Sequence, residues 1–422
     1  MSIVEIGPAE RTLGRAVAIV IAVAIVLTAP VGRAASTTNG RPGATVDELL
    51  ALVKNVNPDL AAAALEREQA VAKIYPAGAL DDPMLNLSRD QGFRQTMFTI
   101  SQDFPLWGKR ELRKDVATAD AAAAKGREGS VAAALEEQVK VTFAQYYQSD
   151  RAIAVTHEIS LLLHDLASTV RTRYGQGLGS QADAIRADLE QTRLEPKLSA
   201  LQRDQEIARA KINALIARPA DAALADPAVL RTIPAPSSLK LDALMAQARG
   251  HNPMLASARA EITAAEGERT LVGKSWYPDV TVSIGGDKLP NMSTQAVVGV
   301  GIKIPFQWEV RDAQEHAAAA KMGAAQARLD GAMLKIESEL QAALAELSYA
   351  QRTENLLKTA LTQQSKAAYQ SALVSYERGR GDLTPVLEAA RSRLDIRIEV
   401  LDVQMQEQTA LAAIERLTGD DL

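Results

Sequence analysis

The chain has no cysteine and very few aromatic residues, only 4% of its 422 positions. The first absence excludes disulfides and thiolate chemistry. With no Cys at the expected cleavage region, it also excludes a lipidated N-terminus. The second argues against a large globular core filled by rings. No basic block suited to nucleic acid interrupts a net charge of −5. A nucleophile–base constellation, a phosphate loop and a carboxylate pair in a catalytic setting are also missing, so neither an enzyme nor a cofactor is expected. The 4 histidines are His157, His164, His251 and His316. His157 and His164 stand seven apart and could share a helix face, but two imidazoles make a poor metal site. All four read as surface residues.

What remains is a chain 47% apolar and 23% charged, rich in Ala, Glu, Lys and Arg. Such composition favours long helices packed through small side chains. At the N-terminus, Arg11 and Arg15 precede an apolar run from Val17 to Ala29, with Gly32, Ala34 and Ala35 following. The run is short for a membrane span, so residues 1–34 read as an export signal.

The rest reads as an internal duplication: a first repeat over 35–217, a linker over 218–240 rich in Ala and Pro, and a second repeat over 241–422. Val46-Asp-Glu-Leu-Leu and Leu241-Asp-Ala-Leu-Met open the halves, and Asn57-Pro58 matches Asn252-Pro253 at an offset of 195. Further on the offset is 202, where Tyr174-Gly-Gln-Gly177 matches Tyr376-Glu-Arg-Gly379. Beyond these, Leu194, Leu198, Leu201, Gln205, Ala208, Ile212 and Leu215 match Ile396, Val400, Val403, Glu407, Ala410, Ile414 and Leu417. Both series follow the 4-3 spacing of a coiled-coil seam, and both break it with a polar residue at the same point.

Each half predicts a helix, a β region, and a helical run from near Lys109 to Tyr174 or near Val310 to Tyr376. At 1.5 Å per residue, a run of about 66 residues spans on the order of 100 Å. A Gly-containing turn then reverses the chain into a return helix, which Pro196 should kink or interrupt in the first half.

The β regions, about 83–105 and 278–306, alternate. Val280, Val282 and Ile284 alternate with Thr281, Ser283 and Gly285, and Val298, Val300, Ile302 and Ile304 with Val297, Gly299, Gly301 and Lys303. A turn is expected from Asp287 to Met292. Phe98, Ile100 and Phe104 alternate with Thr99, Ser101 and Asp103, whereas the first strand, Met84 to Ser88, is short and weakly patterned. Strands of this kind suit a transmembrane barrel, although an ordinary half-buried hairpin alternates in the same way. The aromatic residues favour the barrel. Trp107, Trp276 and Trp308 are the only 3 tryptophans, and all lie at strand–helix junctions, with Tyr75, Tyr277, Phe104 and Phe306 beside them. Rings of this type gather at the membrane–water interface. Pro105 and Pro305 stop the ladder for want of an N–H, and Lys109, Arg110, Arg113 and Lys114 mark the water side. Four strands cannot close a barrel, and open edges are not tolerated in lipid. A homo-oligomer follows, with two chains giving eight strands or three giving twelve.

In the duplicated plan, in Phe104-Pro-Leu-Trp-Gly-Lys-Arg110, and in the segments from Tyr174 to Asp183 and Tyr376 to Ala389, the chain resembles the TolC family of outer-membrane efflux proteins. The likeness runs from about Val46 to Gly419. In detail the chain is similar to the heavy-metal branch, the cobalt–zinc–cadmium and copper–silver exporters. The resemblance implies a mainly α fold: a long α-helical barrel beneath a twelve-stranded β-barrel, four strands from each chain of a homotrimer. It implies an exit duct for heavy-metal cations that spans from the outer membrane into the periplasm, working with a periplasmic adaptor and an inner-membrane RND-type transporter. Trp107, Trp276, Trp308, Tyr75, Tyr277, Phe104 and Phe306 would form the interface girdle. The turns Gly177-Leu178-Gly179 and Gly379-Arg380-Gly381 would dock the adaptor. Asp183, Asp382 and Glu388 would narrow the mouth, with Pro385 where another acid is expected; Asp382 could equally cap its helix. Two other readings stay open, a periplasmic coiled-coil adaptor or scaffold and an inner-membrane-anchored rod that keeps Val17 to Ala29.

Overall fold

A computed structural model describes residues 41–90, 95–235, 238–288 and 293–422. The expected signal segment lies outside the described residues, as do residues 289–292 of the turn expected between the last two strands.

Three short helices open the first half: α1 (Val46–Val56), α2 (Pro58–Ala72) and α3 (Ile74–Gly78). Strands β1 (Met84–Asp90) and β2 (Gln95–Phe104) follow, then α4 (Lys109–Gly175) and α5 (Gln181–Leu215). The second half repeats the plan with α6 (Leu241–His251), α7 (Pro253–Gly273), β3 (Asp279–Lys288) and β4 (Gln295–Lys303). A helical run of α8 (Trp308–Leu356), a single π turn over Leu357–Leu361 and α9 (Thr362–Glu377) leads to the return helix α10 (Leu383–Thr418). No described helix is long and apolar enough to cross a membrane.

The π turn has a sequence cause. Arg110 and Arg311 are 201 apart, whereas Tyr174 and Tyr376 are 202 apart. The second long helix therefore carries one residue more than the first, and a π turn accommodates one extra residue without ending a helix. Pro196 departs from expectation, because α5 continues through it without interruption.

The four strands form one antiparallel sheet in the order β1-β2-β3-β4. Its register aligns like with like. Leu85 lies opposite Ile100, Ile100 opposite Ile284, and Ile284 opposite Val298. On the other face Ser101 lies opposite Ser283, and Ser283 opposite Gly299. One continuous face is apolar and the other polar or small. The first strand, weak by sequence, is in register with the rest through Leu85 and Leu87. The apolar face is uncovered: Leu87 is 74% exposed, Val298 71% and Val300 69%.

The helices repeat the sheet's order. Nearest the strands, α4 packs on α2 and on α7, and α7 packs on α8. Towards the other end, α4 packs on α5 and α10, and α10 on α8 and α9. The free sides coincide, with β1, α2 and α5 along one flank and β4, α8 and α9 along the other.

Two matched seams, each polar at the same point, bury the contacts between these layers. Ala208, Ile212 and Leu215 join Leu49, Val139 and Phe143 in one core cluster. Ala410, Ile414 and Leu417 join Leu255, Ile336 and Leu340 in another. The segment between the halves packs onto both, through Leu224 on the first and Ile233 on the second.

Candidate functional site at the strand–helix junctions and the tips

At the first junction, β2 ends at Phe104, as expected from Pro105. The chain turns through Trp107 and Gly108, both left-handed at φ 65° and 76°. The Trp107 ring lies 5.3 Å from Tyr277, and its indole N–H donates to the Pro278 carbonyl at 3.0 Å. Lys109 corrects the sequence reading. It does not mark the water side but is buried, only 6% exposed, with its ammonium 2.7 Å from Asp279 and 2.9 Å from the Tyr277 carbonyl. These partners satisfy a charge that would otherwise be costly to bury. Arg110 turns back to the Gly78 carbonyl at 2.8 Å.

At the second junction, Trp276 and Trp308 pair at 5.3 Å, and the Trp276 indole donates to Glu315. Trp308, Phe306 and Tyr75 are 64%, 72% and 85% exposed. Each hairpin thus carries uncovered rings at its helix end.

The tips are two copies of one motif. The Gly177 N–H donates to the Tyr174 carbonyl at 2.9 Å and that of Leu178 to Arg173 at 2.8 Å. The Gly379 N–H donates to Tyr376 at 2.9 Å and that of Arg380 to Ser375 at 2.9 Å. Both are Schellman caps, and Gly177 and Gly379 hold the left-handed position at φ 76° and 69°. Gly179 and Gly381 serve differently, as a Cβ there would stand 3.4 Å from the Tyr174 backbone nitrogen and 3.2 Å from the Ser375 side chain. Leu178 and Arg380, between the glycines, are exposed.

Arg173, which the sequence reading missed, ties the tips together. Its guanidinium donates to the Glu377 carbonyl at 2.7 Å and lies 5.1 Å over the Tyr376 ring. Its place directly before a tip tyrosine was the only signal. Burial pushes the Tyr376 phenol above its ordinary pKa, with the nearby Asp183 carboxylate adding to the shift.

The three acids differ in their local partners. Asp183 sits in the first turn of α5, capped by Ser180, with Arg186 at 3.8 Å. Asp382 occupies the N-cap of α10, but its side chain makes no capping hydrogen bond. Asp382, Glu388 and Pro385 are exposed. Glu190, buried at 5% exposure, is gripped by Arg391. Hydrogen bonding from Arg391 holds the Glu190 carboxyl below the usual range. The histidines do not converge: His164 faces Gln191, His251 Asp420 and His316 Asp312. Among the described residues no group of three or more candidate ligands could hold a metal ion.

Comparison with known proteins shows what this chain is similar to. Residues 244–420 match the model of the outer membrane efflux protein family. The cobalt-zinc-cadmium resistance protein CzcC of Cupriavidus metallidurans is 25% identical over 385 residues, covering 89% of this chain and 90% of that one. Among solved structures, the outer membrane protein VceC of Vibrio cholerae superposes with a TM-score of 0.77 at 19% identity, covering 89% of this chain and 96% of that one. The outer-membrane channel OprN does so with a TM-score of 0.76 at 17% identity, covering 89% of each. At these identities the structural likeness establishes the fold.

Proposed function

We propose that this chain belongs to the outer membrane efflux protein family, whose model matches residues 244–420, and that it is the outer-membrane exit duct of a tripartite efflux pump. It would conduct substrate passively from the periplasm to the exterior. The observation that carries the reading is the coincidence of open flanks. The sheet and both helical layers end on the same two sides, β1-α2-α5 and β4-α8-α9. An apolar sheet face with two unpaired edges is untenable in lipid unless the edges close on other copies. Closing β1 of one copy on β4 of the next closes the helical layers in the same step. Three copies give a twelve-stranded barrel, the number the family resemblance implies, over a twelve-helix tube.

In that ring, the apolar face meets lipid and the polar face lines the lumen. The exposed Leu178 and Arg380 would meet a periplasmic adaptor, and Asp382 and Glu388 would stand at the mouth. The cargo we propose is heavy-metal cations, because a relative matched along 90% of its own length is a cobalt-zinc-cadmium resistance protein.

The test is fractionation followed by electrophoresis of unheated and heated samples. An outer-membrane species of about three chains that collapses to one on heating is expected, together with hypersensitivity of a deletion strain to cobalt, zinc and cadmium. A soluble monomer would overturn the duct, and metal tolerance unchanged by deletion would overturn the cargo.

A further inference from the structure

Directly beneath the sheet, where α4, α7 and α8 meet the strands, lies a hollow of about 590 Å³. It stands on one side of the α7–α8 pair, and a second hollow stands on the other. Val272 and Gln314 face the first, whereas Gly273 and Glu315 face the second. One residue along a helix turns about 100°, so neighbouring positions serve opposite sides. The first hollow is continuous with the sheet's polar face, because Asp279 and Lys303, partners across β3 and β4 on that face, both line it. Under the duct reading it therefore opens to the lumen, and the placement, though not the site, rests on that reading.

The charge of this hollow is one-sided. Lys109, Arg113, Lys303, Arg311 and Lys321 line it against two carboxylates, Glu268 and Asp279. Both carboxylates are engaged, Asp279 with Lys109 and Glu268 with Lys321. Arg113, Lys303 and Arg311 pair with no described carboxylate, leaving three cations in excess. Two buried polar atoms in the wall also lack a hydrogen-bond partner, Nε of Arg311 and Oγ of Ser275. Buried polar atoms are nearly always satisfied, so whatever fills the hollow, water or solute, meets two open polar groups in its wall. The guanidinium N–H and the hydroxyl both donate, and both suit an anionic oxygen. The remaining wall, including Leu271, Val272, Tyr277 and Pro305, is apolar.

We infer that this hollow binds an organic anion with an apolar body, its phosphate or carboxylate head held by Arg113, Lys303 and Arg311. A wall mostly apolar with a few convergent charges is the usual make-up of a small-molecule site. A bare inorganic anion would leave the apolar part of the wall unused. The metal cations proposed as cargo would be repelled here, so the site serves a different solute from the acidic mouth.

The test uses the full-length protein in a non-ionic detergent, with octyl phosphate as the probe in isothermal titration. Saturable binding is expected. Arg113→Gln and Lys303→Gln should each weaken it about tenfold, the effect of losing one charge-assisted contact. Inorganic phosphate should bind at least about tenfold more weakly than octyl phosphate, and octyl glucoside not at all. Absence of saturable binding, or affinity unchanged in both variants, overturns the site. Equal affinity for inorganic phosphate overturns the apolar body, and equal affinity for octyl glucoside overturns the anionic head. In planar bilayers octyl phosphate added to the aqueous chamber should reduce the current. Phosphatidylglycerol in the bilayer should leave its effect unchanged, and competition by that lipid would overturn the lumenal placement. A protein that binds the probe but carries no current would retain the site and lose the duct.

Discussion

The side-chain amide of Asn252 donates to the carbonyl of Leu417 at 2.9 Å, joining residues 165 apart in sequence. Its oxygen meanwhile accepts from the backbone N–H groups of Met254 and Leu255, at 2.9 and 3.1 Å. One side chain thus caps the start of α7 and the end of α10. Asn57 does the same in the first half, donating to Leu215 at 3.0 Å and accepting from Asp59 and Leu60. Each helix thereby takes up where another ends, which lets short and long helices act as continuous staves. Replacing either Asn with Ala removes an N-cap and orphans a buried carbonyl. The expected loss is about 2–3 kcal/mol. Asn→Ser keeps a cap acceptor but lacks the amide that reaches the distant carbonyl, so it should fall between. Thermal unfolding of the solubilised assembly ranks the three, and an Ala variant as stable as wild type would remove the double-capping role.

The aromatic junctions predict a depth. Single-Trp proteins carrying only Trp107, Trp276 or Trp308 should all be quenched by brominated lipids, most strongly with bromines near the headgroups. A tryptophan that no lipid quenches would place its junction in water.

The tips separate turn-making from docking. Gly177→Ala and Gly379→Ala force a Cβ into left-handed backbone and should cost roughly 1 kcal/mol each. Leu178→Asp and Arg380→Glu leave the caps intact. They should abolish resistance while the oligomer still assembles. Resistance that survives both would confine the turns to a structural role.

Asp382 and Glu388 predict a selective mouth. Asp382 holds an N-cap position without using its carboxylate there, so the charge is free for solution. Three copies of each acid around an axis would concentrate cations. Asp382→Asn with Glu388→Gln should lower cation selectivity and block by divalent ions in single-channel recordings. If both persist, the constriction lies elsewhere.

Glu407 predicts a pH dependence. It is the polar break in the second seam, buried between α8 and α10 with one carboxylate oxygen unpartnered. Burial, reinforced by the charge of Glu354 and opposed by Lys358, raises its pKa to about 7. A folded-state pKa above the unfolded value, about 4.3, means the fold prefers the protonated acid. Its contribution to stability is therefore greatest below about pH 4 and declines as pH rises towards 7. Glu407→Gln should raise the melting temperature at pH 8 and change it little at pH 4. An equal effect at both values would show that charge is not the cause.

Much of this architecture was legible because it is written locally. Ala-rich periodicity, the glycines at each tip and Pro105 after β2 act within a few residues of themselves, so helix lengths and turns follow from the chain alone. The duplication was legible because matched seams survive side by side. What Asn57 and Asn252 do was not, because each amide bonds a carbonyl more than 150 residues away. Lys109 was misread for the same reason: a lysine after Gly108 looks solvated until Asp279, from the other half, is brought 2.7 Å from it. Pro196 was overweighted, since α5 continues through the single hydrogen bond a proline removes. The alternation of each strand was in the sequence. The alignment of four apolar faces, with the open flanks of sheet and helices on the same two sides, required β2 of one repeat to pair with β3 of the other. That pairing depends on packing between distant segments, which no local pattern encodes.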